Sequence, residues 1–258
     1  MANDLILKDV HKNLNTLLES KAEALPKDLN KTRFLQNCMT VLQDTKGIEK
    51  CNSISVARTM LKGAFLGLDF LNKECYAIPY GNSLQFQTDY KGEVKLAKKY
   101  SINPIRDIYA KLVREGDVFA DKIENGLQVI NFEPIPFNDG AIKGAFAVCY
   151  YEDGSMIYET MSLKELEHIR NTYSKQKNGQ AWINSTGEMY KKTVLRRLCK
   201  NISLDFDSIE QRQVFEDSSD FEVKEKAKAK SILDNADEVE YQIVEEELPD
   251  SLQEASND

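Results

Sequence analysis

The chain lacks a nucleotide-binding loop, a paired set of metal ligands and a long apolar run, and each absence removes a class of function. None of its twelve glycines is followed by lysine, so the GxxxxGK[ST] loop whose backbone amides cradle nucleotide phosphates does not occur, and an ATP-driven motor is not expected. The two histidines, His11 and His168, fall on predicted helices with neither paired-cysteine spacing nor an HExxH motif. They read as surface or boundary residues, and neither a zinc site nor any other cofactor is expected. No apolar run approaches the ~18 residues of a spanning helix. The opening MANDLILKDV has no basic start and no apolar core of a secretion signal, so the expected location is the cytoplasm, with no membrane partner. Five cysteines, Cys38, Cys51, Cys75, Cys149 and Cys199, are odd in number and set in apolar patterns, which favours reduced buried thiols over disulfides.

Positive charge is scarce in the total, a net of −8, but not in the part that folds. Residues 203–258 hold 18 acids against 5 bases, which leaves 24 acids against 29 bases in residues 1–202. A mildly basic body is thus followed by an acidic tail, and the body's sign is what a polyanion meets. The expected division is a folded body over 1–204, a charged linker over 205–230 and a disordered tail over 231–258, in which Val239, Tyr241, Ile243 and Val244 are available to dock on a partner. The fold class expected is α+β, a mostly antiparallel central sheet of hairpins flanked by helices.

The stretch Cys75 to Tyr100 carries most of the functional reading. Gly81-Asn82 lies between two segments of strand character and suits a tight hairpin turn. If Tyr80 pairs with Ser83, then Pro79 with Leu84, Ala77 with Phe86 and Cys75 with Thr88 form an apolar side. The other side interleaves Tyr76, Ile78 and Tyr80 with Ser83, Gln85 and Gln87, a surface suited to flat ligands with polar edges. After Lys91-Gly92 the period becomes helical, and Glu93 to Tyr100 reads as a short helix with Lys91, Lys95, Lys98 and Lys99 crowded on one side. Such a cluster suits a phosphate backbone, and it equally suits a solvated helix face.

Elsewhere, helices are expected over Asp4 to Ala24, from a cap at Asn30 through Leu42 with Gly47 closing it, and over Ser53 to Leu66 with Gly67 as the stop. The stripe Leu7, Val10, Leu14, Leu17 and Leu18 fits a subunit contact or an intramolecular core equally well. Strands follow around Ile108 to Val113, then hairpins at Asn125-Gly126 and Asp153-Gly154. Ser162 and Glu165 form a capping box for a helix through Tyr173. The loop Ser174 to Gln180 is basic and expected to be mobile until something binds it. The last long helix, from about Ser185, sets Lys191, Lys192, Arg196, Arg197 and Lys200 opposite Val194, Leu195, Leu198 and Ile202, with Glu188 the one acid near them in sequence. Trp182, the single tryptophan, stands where the basic loop meets this basic helix, a place for core packing or for base stacking.

Taken in order, Leu66-Gly67-Leu68-Asp69, CYAIPYG, Tyr90-Lys91-Gly92 with its lysine-rich helix, Glu115-Gly116-Asp117-Val118-Phe119, Ala181-Trp182 and EMYKKTVLRRLCK resemble the phage RecT family of single-strand annealing proteins, from about Arg33 to Leu204. Thr88-Asp89 departs from the pattern, in which a small residue, commonly glycine, precedes the tyrosine. The resemblance implies a protein that pairs single-stranded DNA with its complement without nucleotide hydrolysis and without a covalent catalytic step. It also implies self-assembly into rings or helical filaments that hold the annealed duplex, and work beside a phage 5′→3′ exonuclease. Residues and resemblance together nominate Lys91, Lys95, Lys98, Lys191, Lys192, Arg196 and Arg197 as DNA-backbone contacts. Tyr76, Tyr80, Gln85, Gln87 and Trp182 are the candidate base or sugar contacts. Two other classes stay open: a passive single-strand-binding protein that does not anneal, and a metal-dependent nuclease built on Asp89, Glu93, Asp107 and Asp117. The acidic tail is open too, as a solubilising end, a dock for the exonuclease or a host single-strand-binding protein, or a DNA mimic folded over the groove.

Overall fold

A computed structural model describes residues 2–174 and 177–218. The tail over 231–258, residues 219–230 of the expected linker, and Lys175 and Gln176 of the basic loop lie outside the described residues. Within them the protein is α+β, with antiparallel strand pairs among eight α-helices.

The first half of the chain builds one apolar core. Helix α1 (Ala2–Ser20) turns Val10, Leu14 and Leu18 inward, all essentially without solvent contact. Of the two roles that fit its stripe, the intramolecular one is therefore the one seen. Helix α2 (Lys31–Gln43) begins where the Asn30 side chain accepts from the Arg33 amide, and it ends at Asp44, before Gly47. Helix α3 (Ser53–Leu66) begins at Asn52, which accepts from the Ile54 and Ser55 amides, and stops at Gly67. There a φ of 63° gives the left-handed end that glycine adopts without steric cost. Strands β1 (Cys75–Tyr80) and β2 (Ser83–Thr88) pair in the register expected from their alternation, Tyr80 with Ser83 through Cys75 with Thr88. Cys75, Leu84 and Thr88 are buried on one side, and Thr59 of α3 donates to the Leu84 carbonyl at 3.2 Å.

The second core lies under a three-stranded sheet. Strands β3 (Ile105–Arg114), β6 (Ile142–Tyr151) and β7 (Met156–Ser162) pair in the order β3-β6-β7, all antiparallel. Ile108, Ala145, Ala147, Cys149 and Met161 meet helix α7 (Thr186–Asn201) through Tyr190, Val194, Leu198 and Cys199. Strands β4 (Val118–Glu124) and β5 (Leu127–Glu133) form a separate hairpin. Asn125 and Gly126 at its tip, with φ of 52° and 80°, make the primed turn that matches strand twist. The hairpin lays Phe119 and Phe132 on Phe146 at ring distances of 5.2 and 5.0 Å. Helix α5 (Leu163–Tyr173) carries the expected capping box of Ser162 and Glu165, and the short α6 (Gln180–Asn184) leads into α7.

Two helices depart from expectation. Helix α4 runs Tyr90–Tyr100 and so starts before the glycine that was read as preceding it. Asp89 caps it, accepting from the Lys91 amide, and Gly92 is demanded by packing, because a Cβ there would sit 2.2 Å from the Glu74 carbonyl oxygen. Helix α8 (Ile209–Ser218) occupies part of the stretch expected to be a charged linker. It buries Val214 in the first core, and Phe206 stacks between Tyr100 and Phe215 at 4.9 and 5.3 Å. Three apolar side chains in its ten residues, Ile209, Val214 and Phe215, were too few to mark it. All five cysteines are buried and free, and burial pushes the Cys149 thiol up to about 11.

Candidate nucleic-acid interface

Helix α4 belongs to both cores: Leu96 and Tyr100 face the first, Ala97 the second. On that second side it lies along α7, and the two run parallel. Lys192 stands 5.0 Å over the Tyr90 ring, Arg196 Nε donates to Glu93 Oε1 at 3.0 Å, and just beyond both helices Ser101 bridges Leu204. Segments 103 residues apart in sequence thus place their lysines on one two-helix surface. The tie between them is buried, with the Glu93 and Arg196 side chains 2% and 12% exposed, and Thr88 adds a hydrogen bond to Glu93 Oε1 at 2.9 Å. Burial raises the Glu93 pKa despite Arg196 and Thr88, which pull it down.

This geometry sorts the seven nominated cations. Lys91 and Lys98 are exposed on α4, and Lys192 faces Tyr90; none of the three has a carboxylate partner among the described residues. The other four are engaged. Lys95 reaches Glu74 at 2.8 Å and the Gly67 carbonyl at 2.9 Å, tying α4 to the end of α3. Lys191 pairs with Glu188 at 2.6 Å, and Arg197 with Glu159 of β7 at 2.8 Å. Arg196 is a correction to its nomination, because its nearly buried guanidinium joins α4 to α7 and is not offered to solvent. Counting acids along α7 found only Glu188. Glu93 and Glu159 arrive from other elements, which single-helix charge counting does not see.

The aromatic candidates divide as well. Tyr76 and Tyr80 are exposed on the outward face of the β1–β2 hairpin with Gln85, and Gln87 is half-buried there opposite Tyr76. Burial, and after it the neighbouring Asp89 and Tyr90, raise the Tyr76 phenol pKa. Tyr76 therefore adjoins the start of α4, and Tyr76, Tyr90 and Lys192 form one aromatic and cationic cluster. Tyr90, absent from the nominated residues, is its centre; the signal available was the Tyr90-Lys91-Gly92 motif itself. Trp182 is the second correction. It is 6% exposed, packs on Tyr190 at 6.0 Å under the Arg170 guanidinium at 5.2 Å, and donates through Nε1 to Ser174 Oγ at 3.1 Å, so no ring face is open to a base.

The carboxylates of the nuclease reading are not brought together. Asp89 caps α4, Glu93 pairs with Arg196, Asp107 accepts from the adjoining Ile108 amide, and Asp117 holds a loop through Ile135 and Asn138. Among the described residues no three His, Cys, Asp or Glu side chains gather as metal ligands, and no helix is long and apolar enough to cross a membrane.

A basic, aromatic-edged two-helix surface on an α+β body defines the class of the site, with no gathered metal-ligating acids among the described residues. The RecT family model matches residues 32–231, and the chain belongs to that family. Protein RecT of Escherichia coli (strain K12) is 29% identical to it over 199 residues, 73% of this chain and 72% of the relative.

Proposed function

We propose that this protein binds single-stranded DNA along the α4–α7 surface and anneals it to a complementary strand in homologous recombination, without ATP. Membership of the RecT family supports the activity. The observation that supports the site is the parallel seating of α4 on α7, with Lys192 over Tyr90, Tyr76 beside the start of α4, and Lys91 and Lys98 exposed on α4. Annealing is opposed by phosphate repulsion. Ammonium groups along one strand lower that barrier and release counterions, while the tyrosines offer π faces that accept any base. Base pairing then drives the reaction, so no residue needs to form a covalent bond and no nucleotide needs to be spent. In this reading the protein works in the cytoplasm as an assembly of copies that line up along the first strand, keep it extended and retain the duplex. A 5′→3′ exonuclease exposes that strand, and a host single-strand-binding protein competes for it.

The test is the annealing rate of complementary oligonucleotides without nucleotide, with non-complementary strands as control and a Lys91→Ala, Lys192→Ala chain beside the wild type. Acceleration that requires complementarity and falls in the double variant supports the proposal. Tight binding without acceleration makes the protein a passive strand binder. Unchanged affinity and salt dependence in the double variant removes the α4–α7 site.

A further inference from the structure

One carboxylate stands within the aromatic and cationic cluster. Asp89 follows β2, and its amide donates to the Glu74 carbonyl at 2.9 Å, which carries the β1–β2 ladder one pair beyond Cys75 and Thr88. Strand alternation therefore sets Asp89 on the outward face with Gln87 and, diagonally across, Tyr76. The next residue is Tyr90, the ring under Lys192. Glu74, the acid opposite Asp89, is turned to Lys95 at 2.8 Å and to the Asp69 amide at 2.8 Å. Asp89 instead caps α4, its Oδ1 accepting from the Lys91 amide at 3.2 Å. It is half-buried, and its charge is, after burial, the largest influence raising the Tyr76 phenol pKa.

A helix N-terminus ordinarily draws a phosphate, through its unpaired amides and the positive end of its dipole. Here a carboxylate already fills that role, so the start of α4 repels the strand's backbone and leaves Tyr76 and Tyr90 to the bases. An ionised carboxylate offers about four lone-pair positions and no donor. With the Lys91 amide on Oδ1, acceptor capacity remains on Oδ2. Gln85 and Gln87, on the same face, both donate and accept and so do not choose between base edges. We propose that Asp89 determines base specificity at the α4–α7 surface, its Oδ2 accepting from the exocyclic amine of a base stacked at Tyr76 and Tyr90. Cytosine is then held more tightly than uracil or thymine, whose carbonyl at the same position meets the negative oxygen. Pairing with guanine uses one hydrogen of the cytosine amine and leaves the other in the major groove, so the contact survives annealing. This preference rests on strand binding at that surface, as proposed above.

The experiment titrates the full chain with oligo(dC) and oligo(dU) of equal length near neutral pH, two strands that present an amine or a carbonyl at the same ring position. The wild type is expected to hold oligo(dC) about three- to tenfold more tightly. Asp89→Asn keeps the cap, because its carbonyl oxygen still accepts from the Lys91 amide, and so turns an amide N–H to where Oδ2 stood. Its preference is expected to reverse toward oligo(dU) with melting unchanged. Asp89→Ser, also a cap but too short to reach the base, is expected to bind both strands alike. Lys192→Ala is expected to weaken both and keep their ratio. Equal binding of the two strands by the wild type, or a cytosine preference that survives both Asp89 variants, overturns the role of Asp89 and leaves the α4–α7 site standing. A wild type that binds neither strand removes that site and the role of Asp89 with it.

Discussion

Lys192 and Arg196 sit one turn apart on α7 and do different work, one facing Tyr90 at the surface and the other buried against Glu93. Lys192→Ala is expected to weaken single-strand binding about three- to fivefold at physiological salt, without sequence preference, and to reduce the salt slope by about 0.7, with melting unchanged. Arg196→Ala leaves a buried carboxylate unpaired and is expected to cost about 3–5 kcal/mol by denaturant unfolding, partly recovered by adding Glu93→Gln. Acid narrows that deficit. A carboxyl whose folded pKa is raised binds its proton more tightly when folded, so its contribution is fully favourable below the unfolded value and is lost as pH rises through the folded one. Glu93 is raised above 4.5 already with Arg196 present, and removing the guanidinium raises it further. The gap between variant and wild type is therefore expected to close as melting is followed from pH 7 down toward 4.5. Sequence alone marked both residues as cations on one face. It held no sign of Glu93 as a partner, because that contact spans 103 residues.

Among the elements, those specified by neighbours were legible and those specified by distant packing were not. The β1–β2 register, the Asn30 cap and the Ser162–Glu165 box all follow from residues within a few positions of one another. Ser162→Ala is expected to cost about 1 kcal/mol in chemical denaturation. Bonds from the Ser162 amide and hydroxyl hold Glu165 below its usual value. Its contribution is thus present above 4.5 and is lost as pH falls through the depressed folded value. Glu165→Gln is expected to remove that part of the acid dependence. The start of α4 was illegible because Gly92 reads as a helix breaker, while the Glu74 carbonyl against it, which allows no Cβ, is a tertiary fact. Gly92→Ala is expected to force α4 outward, costing about 1–3 kcal/mol as overpacking does and weakening strand binding together with melting.

For the molecule as a whole, α8 carries the first core beyond the body expected to end at residue 204. A chain stopped at residue 207 is expected to melt lower than one stopped at 222, because it loses Val214 and Phe215 from the first core and with them about 2–5 kcal/mol. The class α+β and the basic body were legible from alternation and charge. The place of α8 was not, since Val214 packs into the first core, to which α3 belongs, and Phe215 stacks on Phe206, which in turn meets Tyr100.

The α4–α7 seam is also one of the last parts of the fold to be completed during synthesis. A chain still being translated can form the N-terminal core and the β1–β2 hairpin with α4 seated on it through Leu96 and Tyr100, yet the other side of α4 has no partner until Thr186–Asn201 has left the ribosome. Contacts of such long sequence separation form late and slowly. On the proposed site, a product truncated before α7 is expected to hold single-stranded DNA less tightly than the finished protein, as a mobility-shift titration would read.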